Sequence, residues 1–234
     1  MGMWRFNGYG WLGAETAETN EMGLLISSEP IKVLENVKEV SIGSDHAAAV
    51  TTDGALYMWG NNEACQIGSV SVYSELVTSP QKIMEDVQSV YCGFEFTAVI
   101  TTDGNLYTWG SAKSGRLGNG SAEEYYTDTP CLILEDISYI DGTTNGAIAI
   151  TKDGSLYTWG GSSSLIQDDA DASVPSKILN DIIAADMGVE HGIALDANGS
   201  VYAWGWNAYG QYGDGSTDSS TDPTEVDLSD ILKR

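Results

Sequence analysis

Positive charge is scarce in this 234-residue chain, which has 10 Lys and Arg against 34 Asp and Glu and a net charge of −24. Nucleic-acid binding depends on neutralising phosphates with Lys and Arg, and an anionic membrane surface repels an acidic protein. We therefore expect neither nucleic acid nor a membrane as a partner. No apolar run approaches the roughly 18 residues of a membrane span, and no signal-peptide pattern opens the sequence. Two origins stay open: a cytoplasmic protein, or a piece of a longer secreted or surface protein.

Cysteine and histidine are also rare. The three cysteines, Cys65, Cys92 and Cys131, contain no CxxC pair, which argues against a disulfide framework and against a thiolate zinc site. Cys92 lies in an apolar stretch and is predicted to be a small buried residue. The two histidines, His46 and His191, are repeat-equivalent but three blades apart, which favours a structural role over a metal site.

The common catalytic signatures are missing as well. The sequence has no G-x-S-x-G, no phosphate-binding Walker loop and no H-E-x-x-H. Its Asp-rich stretches do not match a calcium-binding loop with its central Gly and terminal Glu. The sequence therefore predicts no catalytic residue, no metal and no cofactor.

What the sequence does have is a strong internal repeat. Segments beginning at Asp53, Asp103, Asp153 and Asn198 all read Asp/Asn-Gly-x-Leu/Val-Tyr-x-Trp-Gly. Four of the five prolines stand 29 residues before the tryptophan of such a segment, whereas the distance from a tryptophan to the next proline varies from 16 to 26 residues. A block of constant length and one segment of variable length indicate a rigid core and one variable loop per repeat. The units are approximately 30–79, 80–129, 130–174 and 175–222, with partial units at 1–29 and 223–234, in a single domain.

Each unit carries four strand signals. Asp-Gly between alternating apolar residues predicts a hairpin of residues 47–50 with 56–59, closed by a type I′ turn. Further strands are predicted near 37–42 and 31–34. Because both strand faces are apolar, each sheet must pack between neighbours, as propeller blades do. The predicted fold class is therefore all-β, a β-propeller of four-stranded blades, with four complete blades and a partial one in an incomplete, open arc.

The repeat resembles that of the regulator of chromosome condensation family. The resemblance rests on residues 43–54, on Tyr57-Met58-Trp59-Gly60 and on the Gly-containing runs 66–68, 116–120 and 211–215, and it extends over essentially the whole chain. It implies a seven-bladed propeller that binds proteins. Family members include a nucleotide exchange factor for a small GTPase and secreted bacterial inhibitors of β-lactamase. From its fuller loops we expect a bacterial member, or a fragment of one.

The chain departs from the family pattern at several positions. The family's histidine is present as His46 and His191 but is replaced by Phe96 and Gly146 in the other two units. In the third unit, Asp168 stands where a glycine is expected after the tryptophan.

Strand order places the short turn between a blade's first two strands on the same side as its variable loop. The turns carry one polar residue each at equivalent positions, and the loops carry aromatic residues, which dominate interface hot spots. The alternative for the acids is that Asp, Asn and Glu are simply good turn residues. The candidate protein-binding residues are Asp45, Phe94, Glu95, Phe96, Tyr125, Tyr126, Asn145, Glu190, Trp206 and Tyr209, and the loops also carry Tyr73.

These features predict a non-enzymatic protein-binding scaffold whose partner has a basic patch, by electrostatic complementarity. Two alternatives stay open: a purely structural module of a longer bacterial surface or multidomain protein, and an exchange-factor-like regulator or enzyme inhibitor. A closed family propeller has about seven blades, which is more than this chain supplies. We therefore expect a fragment, or self-association through the terminal blades, most simply about a two-fold axis.

Overall fold

The computed structural model describes residues 2–7, 10–14, 18–19, 25–69, 76–123, 125–161 and 171–227. Tyr73 and Asp168 lie outside these residues. The chain divides into two compact units, residues 1–111 with 124–132, and residues 112–123 with 133–234. The one helical element in the described part of the chain is a 3₁₀ turn at Lys113–Gly115, so no helix there could cross a membrane.

The described residues form an all-β fold of five sheets, with antiparallel pairing. The first ten strands are β1 (Gly2–Phe6), β2 (Glu18–Thr19), β3 (Leu25–Lys32), β4 (Val37–Ile42), β5 (His46–Thr51), β6 (Leu56–Asn61), β7 (Leu76–Met84), β8 (Val87–Cys92), β9 (Phe96–Thr101) and β10 (Leu106–Ser111). The others are β11 (Tyr126–Leu134), β12 (Ile137–Gly142), β13 (Gly146–Thr151), β14 (Leu156–Gly160), β15 (Ser176–Leu179), β16 (Ile182–Met187), β17 (His191–Asp196), β18 (Val201–Gly205) and β19 (Ser220–Glu225).

Four of the sheets are four-stranded propeller blades, as the repeat predicts. Their strand orders are β4-β5-β6-β7, β8-β9-β10-β11, β12-β13-β14-β15 and β16-β17-β18-β19, and the remaining sheet has the order β1-β3-β2. The fourth strand of each blade extends into the next sequence repeat or, in β15, lies wholly within it. That strand contains the repeat's proline in β7, β11 and β19. A proline is tolerated there because an edge strand does not need every N–H for pairing.

The predicted hairpins form, but their turn is of a different type. Val50 pairs with Leu56 across the hairpin of β5 and β6. The Thr51 N–H donates to the Ala55 carbonyl and the Gly54 N–H to the Thr51 carbonyl, both at 2.9 Å. Gly54 has a φ of +86°, while the preceding Asp keeps a negative φ. This is a type I turn followed by a glycine bulge, with three loop residues rather than two. The prediction of a type I′ turn was therefore wrong.

In each of the two compact units, a hydrophobic core lies between consecutive sheets. Side chains from the second and third strands of one sheet meet the first strand of the next, which is why both faces of these strands are apolar. Cys92 is among the buried residues, and burial raises the pKa of its thiol to about 12. In the first unit the core includes Ala48, Val50, Leu56, Val87, Val90 and Cys92. In the second unit it includes Ile148, Ile150, Leu156, Ile182, Ala185 and Met187.

Candidate functional site

In three of the blades, the short turn between the first two strands lies against the start of the variable loop. The residue in the middle of the turn accepts, through its backbone carbonyl, a hydrogen bond from the residue after the Trp-Gly pair. The pairs are Asp45 with Asn61 (2.7 Å), Glu95 with Ser111 (2.9 Å) and Glu190 with Trp206 (2.7 Å). Turn and loop therefore share one end of the blade, as strand order requires. The backbone holds the turn, and the acidic side chains remain half-buried at the surface.

The glycine of the Trp-Gly pair permits this close approach. A Cβ at Gly60, Gly110 or Gly205 would lie 2.3 to 2.5 Å from the carbonyl oxygen of the facing turn residue, and all three glycines have positive φ. A side chain at these positions would force the turn away from the loop. The Trp-Gly pair is therefore a packing motif that positions the candidate surface.

The third blade differs from the other three. The Gly160 N–H donates to the carbonyl of Ala172 at 2.7 Å. The N–H of Asn145 lies 3.3 Å from the Thr143 hydroxyl oxygen, which accepts its hydrogen bond. Asn145 is half-buried, and it stands where the other three short turns carry Asp45, Glu95 and Glu190.

In the first unit, the structure gathers three carboxylates. We call Asp45, Glu63, Phe94 and Glu95 the first-unit cluster. Burial raises the pKa of Asp45, and the negative charges of Glu95 and Glu63 raise it further. The Ser44 hydroxyl donates to the carbonyl of Phe94 at 2.8 Å, and the Phe94 side chain is exposed. Sequence reasoning missed Glu63, although its place just after the Trp-Gly pair put it at the start of a loop.

In the second unit, exposed aromatic side chains dominate. We call Val189, Glu190, Trp206 and Tyr209 the second-unit cluster. The Trp206 and Tyr209 rings meet edge to face, with centroids 5.0 Å apart and an interplanar angle of 78°. Tyr209 is 82% exposed and Val189 68% exposed. Val189 was also missed by sequence reasoning.

The loop that carries the aromatic pair is held from within by Asn207, which is fully buried. Its side-chain oxygen accepts the N–H of Tyr212 at 2.9 Å, and its side-chain nitrogen donates to the Asp218 carbonyl at 3.1 Å. The Tyr212 hydroxyl donates to the Gly205 carbonyl at 2.6 Å. The loop is therefore preorganised, which lowers the entropic cost of binding.

The remaining candidates are divided by burial. Tyr125 and Tyr126 are exposed, and Tyr126 is the first residue of β11 rather than part of the loop. Phe96 is fully buried, and its ring centroid lies 5.9 Å from that of Tyr91. Phe96 therefore belongs to the core and leaves the set of candidate contact residues. In the described part of the chain, no group of three or more His, Cys, Asp or Glu side chains could hold a metal ion.

Comparison with known proteins bears on the family. A family model described as RCC1-like domain matches residues 1–234. Prp20p from Saccharomyces cerevisiae has a TM-score of 0.76 at 20% sequence identity, over 96% of this chain and 59% of that one. Human WBSCR16 has a TM-score of 0.74 at 21% identity, over 94% and 60%. Yeast RCC1 (Prp20) bound to Kap60 has a TM-score of 0.73 at 23% identity, over 90% and 55%. The chain thus spans about three fifths of the length of these proteins, and the similarity establishes a shared fold.

Proposed function

Because the chain belongs to the RCC1-like domain family, we propose that it is a non-enzymatic module that binds a protein partner through its short turns and variable loops. The observation that carries this proposal is the exposed Trp206–Tyr209 pair, with ring centroids 5.0 Å apart on a loop held by the buried Asn207. Exposed aromatic residues on a rigid support are typical hot spots of protein interfaces. Val189 extends the apolar part of this surface.

The charge of the first-unit cluster favours a partner with a basic patch. Burial raises the pKa of Asp45, and Glu95 and Glu63 lie close enough for their negative charges to raise it further. A basic side chain placed among them would relieve this repulsion. The net charge of −24 adds long-range attraction for a positively charged protein.

One of the similar proteins has a partner of this kind. The crystal structure of Prp20p was described with its binding to Gsp1p and histones, and histones are basic proteins. We therefore place a basic protein first among the partners of this chain. The exchange-factor-like regulator and enzyme inhibitor alternatives also require a protein partner, whereas the purely structural module does not.

Affinity capture from the host organism tests the proposal. The wild-type chain, a W206A/Y209A variant and the control Leu132→Ala would be immobilised, and captured proteins would be quantified by mass spectrometry. Leu132 is exposed on β11, so the control also removes an exposed apolar side chain. Loss of two hot-spot residues, each worth about 1–2 kcal/mol or more, should reduce capture of the partner at least about tenfold. The control should capture the partner as the wild type does.

The other outcomes separate the alternatives. Identical capture by all three proteins would contradict binding through the aromatic pair. Absence of any specific protein would favour the purely structural module. A captured small GTPase whose nucleotide release the chain accelerates would favour an exchange-factor-like regulator, and a captured enzyme that loses activity would favour an inhibitor.

A further inference from the structure

The same kind of contact between consecutive sheets occurs in both compact units. Apolar side chains of the second and third strands of one sheet are covered by three apolar residues of the next sheet's first strand. In the first unit, Ala48, Val50 and Leu56 are covered by Val87, Val90 and Cys92. In the second unit, Ile148, Ile150 and Leu156 are covered by Ile182, Ala185 and Met187. The occupant of such a face is therefore a strand with apolar residues at its first, fourth and sixth positions.

Among the described residues, no first strand of a following sheet covers the same face of the last sheet. Ile193, Leu195 and Val201 are the repeat counterparts of Ile148, Ile150 and Leu156. Ile193 is 46% exposed whereas Ile148 is fully buried, and Leu195 and Val201 are only half-buried. These three residues also line a groove of about 370 Å³.

Strand β4 presents the complementary apolar residues. Val37, Val40 and Ile42 occupy its first, fourth and sixth positions. Ile42 is 63% exposed, whereas its repeat counterpart Met187 is 7% exposed. Val40 is exposed as well, while its counterparts in β8 and β16 are buried. The chain thus carries both halves of the sheet contact in exposed form.

We propose that two copies of this chain associate head to tail, with the β4 face of one copy packed on the β17–β18 face of the other. The contact would repeat the pairing seen inside each unit. In the first unit, the Cys92 N–H donates to the Ser41 hydroxyl oxygen at 2.9 Å. Asp186 is the counterpart of Ser41, so the same register brings its carboxylate to the N–H of Ile42 in the other copy.

The two faces differ, so the association is heterologous. A two-fold axis, which the sequence analysis favoured, would set each face against itself, whereas a heterologous contact joins unlike patches and extends or closes into a ring. Because each copy carries a net charge of −24, added salt should strengthen the association by screening repulsion. Binding of a basic partner through the first-unit and second-unit clusters has the opposite salt dependence, so the two proposals fail separately.

Complementary blocking variants test this arrangement. Ile193→Glu blocks the last-sheet face and Ile42→Glu blocks the β4 face, while Leu132→Glu on β11 is the control. By analytical ultracentrifugation, the wild type and the control should form larger species as concentration rises. Each blocked variant alone should be monomeric. An equal mixture of the two should form pairs of chains and nothing larger, because one intact face of each kind remains.

Three results would overturn the proposal. They are a wild type that stays monomeric at every concentration, a blocked variant that still associates alone, and a mixture that forms no pairs. Circular dichroism checks that the variants fold. If a Glu variant fails to fold, Ile193→Thr and Ile42→Thr take its place, since Thr is favoured in strands and should weaken association about tenfold by removing apolar area.

Discussion

The Nε2 atom of His46 lies 2.9 Å from the hydroxyl oxygen of Thr97, a residue 51 positions later. The Thr97 hydroxyl donates its hydrogen to the carbonyl oxygen of Gln66 at 2.7 Å, so it must accept from Nε2–H. His46 is therefore the neutral tautomer with its proton on Nε2. The same Gln66 carbonyl accepts the indole N–H of Trp109 at 3.0 Å. This network joins the β4–β7 blade to the β8–β11 blade.

The buried histidine makes stability depend on pH. Burial lowers the pKa of His46 from 6.5 to about 3. In the unfolded chain His46 takes up a proton at a higher pH than in the folded one. Its contribution to stability is therefore complete above about pH 6.5 and is lost as pH falls towards 3, with a slope of up to about 1.4 kcal/mol per pH unit.

We predict that His46→Gln removes this part of the pH dependence. The variant should be less stable than the wild type at pH 7, and the difference between their free energies of unfolding should narrow by about 1 kcal/mol per unit between pH 6 and pH 4. Urea unfolding at several pH values measures it. A difference for His46→Gln that does not change with pH would contradict the prediction.

The tryptophans of the blades differ in one hydrogen bond. Three indole N–H groups donate to a loop carbonyl about 45 residues earlier: Trp59 to Trp11 at 2.9 Å, Trp109 to Gln66 at 3.0 Å and Trp159 to Arg116 at 3.1 Å. The indole N–H of Trp204 is buried and finds no acceptor among the described residues.

This contrast gives a matched pair of variants. Trp109→Phe and Trp204→Phe remove the same atoms from fully buried positions, but only the first loses a hydrogen bond. The second removes a donor that has no acceptor in the described structure. We expect Trp109→Phe to cost about 1–3 kcal/mol more than Trp204→Phe in the free energy of unfolding. Equal losses in chemical denaturation would show that the indole bonds contribute little.

Most of the fold could be predicted from the sequence repeat, because the strands of each blade recur at fixed distances from its tryptophan. The turn type could not be obtained in this way, since Asp-Gly suits both a two-residue loop and a three-residue loop with a glycine bulge. The number of loop residues decided between them. The register of Thr51 with Ala55 fixes that number, and it is a property of the paired strands.

The candidate surface was predicted less well than the fold. Phe96 was assigned to this surface, although the sequence already favoured a structural role for its repeat counterpart His46. The structure buries both residues. The exposed position of the short turn is two residues earlier, at Phe94 in one blade and Val189 in another. Aligning the repeats on Phe94 would have found Val189. Glu63 joins the acids through tertiary proximity, which the repeat does not encode.

The acidic turn residues should steer association. We predict that replacing Asp45, Glu95 and Glu190 together by Ser slows binding of a basic partner several-fold at low salt, because acidic charges on a binding surface raise the rate of encounter with a basic protein. Replacing Glu35, Glu85 and Glu135 by Ser changes the net charge equally from −24 but acts at the turns before the first strands β4, β8 and β12 of three blades. Stopped-flow kinetics with an oligolysine peptide measures both variants. Equal rates would mean that the three acids serve only as turn residues.

The glycine after Trp109 gives the last prediction. Gly110 has a φ of +107°, and a Cβ there would lie 2.4 Å from the Glu95 carbonyl oxygen and 2.8 Å from the Phe96 Cα. Gly213 has a φ of +74°, and a Cβ there would have no described atom within 4 Å. Gly213→Ala should therefore cost about 1 kcal/mol, from backbone strain alone. Gly110→Ala should cost about 1–3 kcal/mol more, because the Cβ must also displace the short turn.

The two substitutions also differ in their effect on binding. Displacement of the turn by Gly110→Ala moves Glu95 without changing the charge of the protein, so oligolysine should associate more slowly than with Gly213→Ala. Thermal unfolding and the same stopped-flow measurement test both parts. If the two variants were equally stable, the short turn would be able to yield to a methyl group. The backbone contact between turn and loop would then not be what holds the acidic side chains in place.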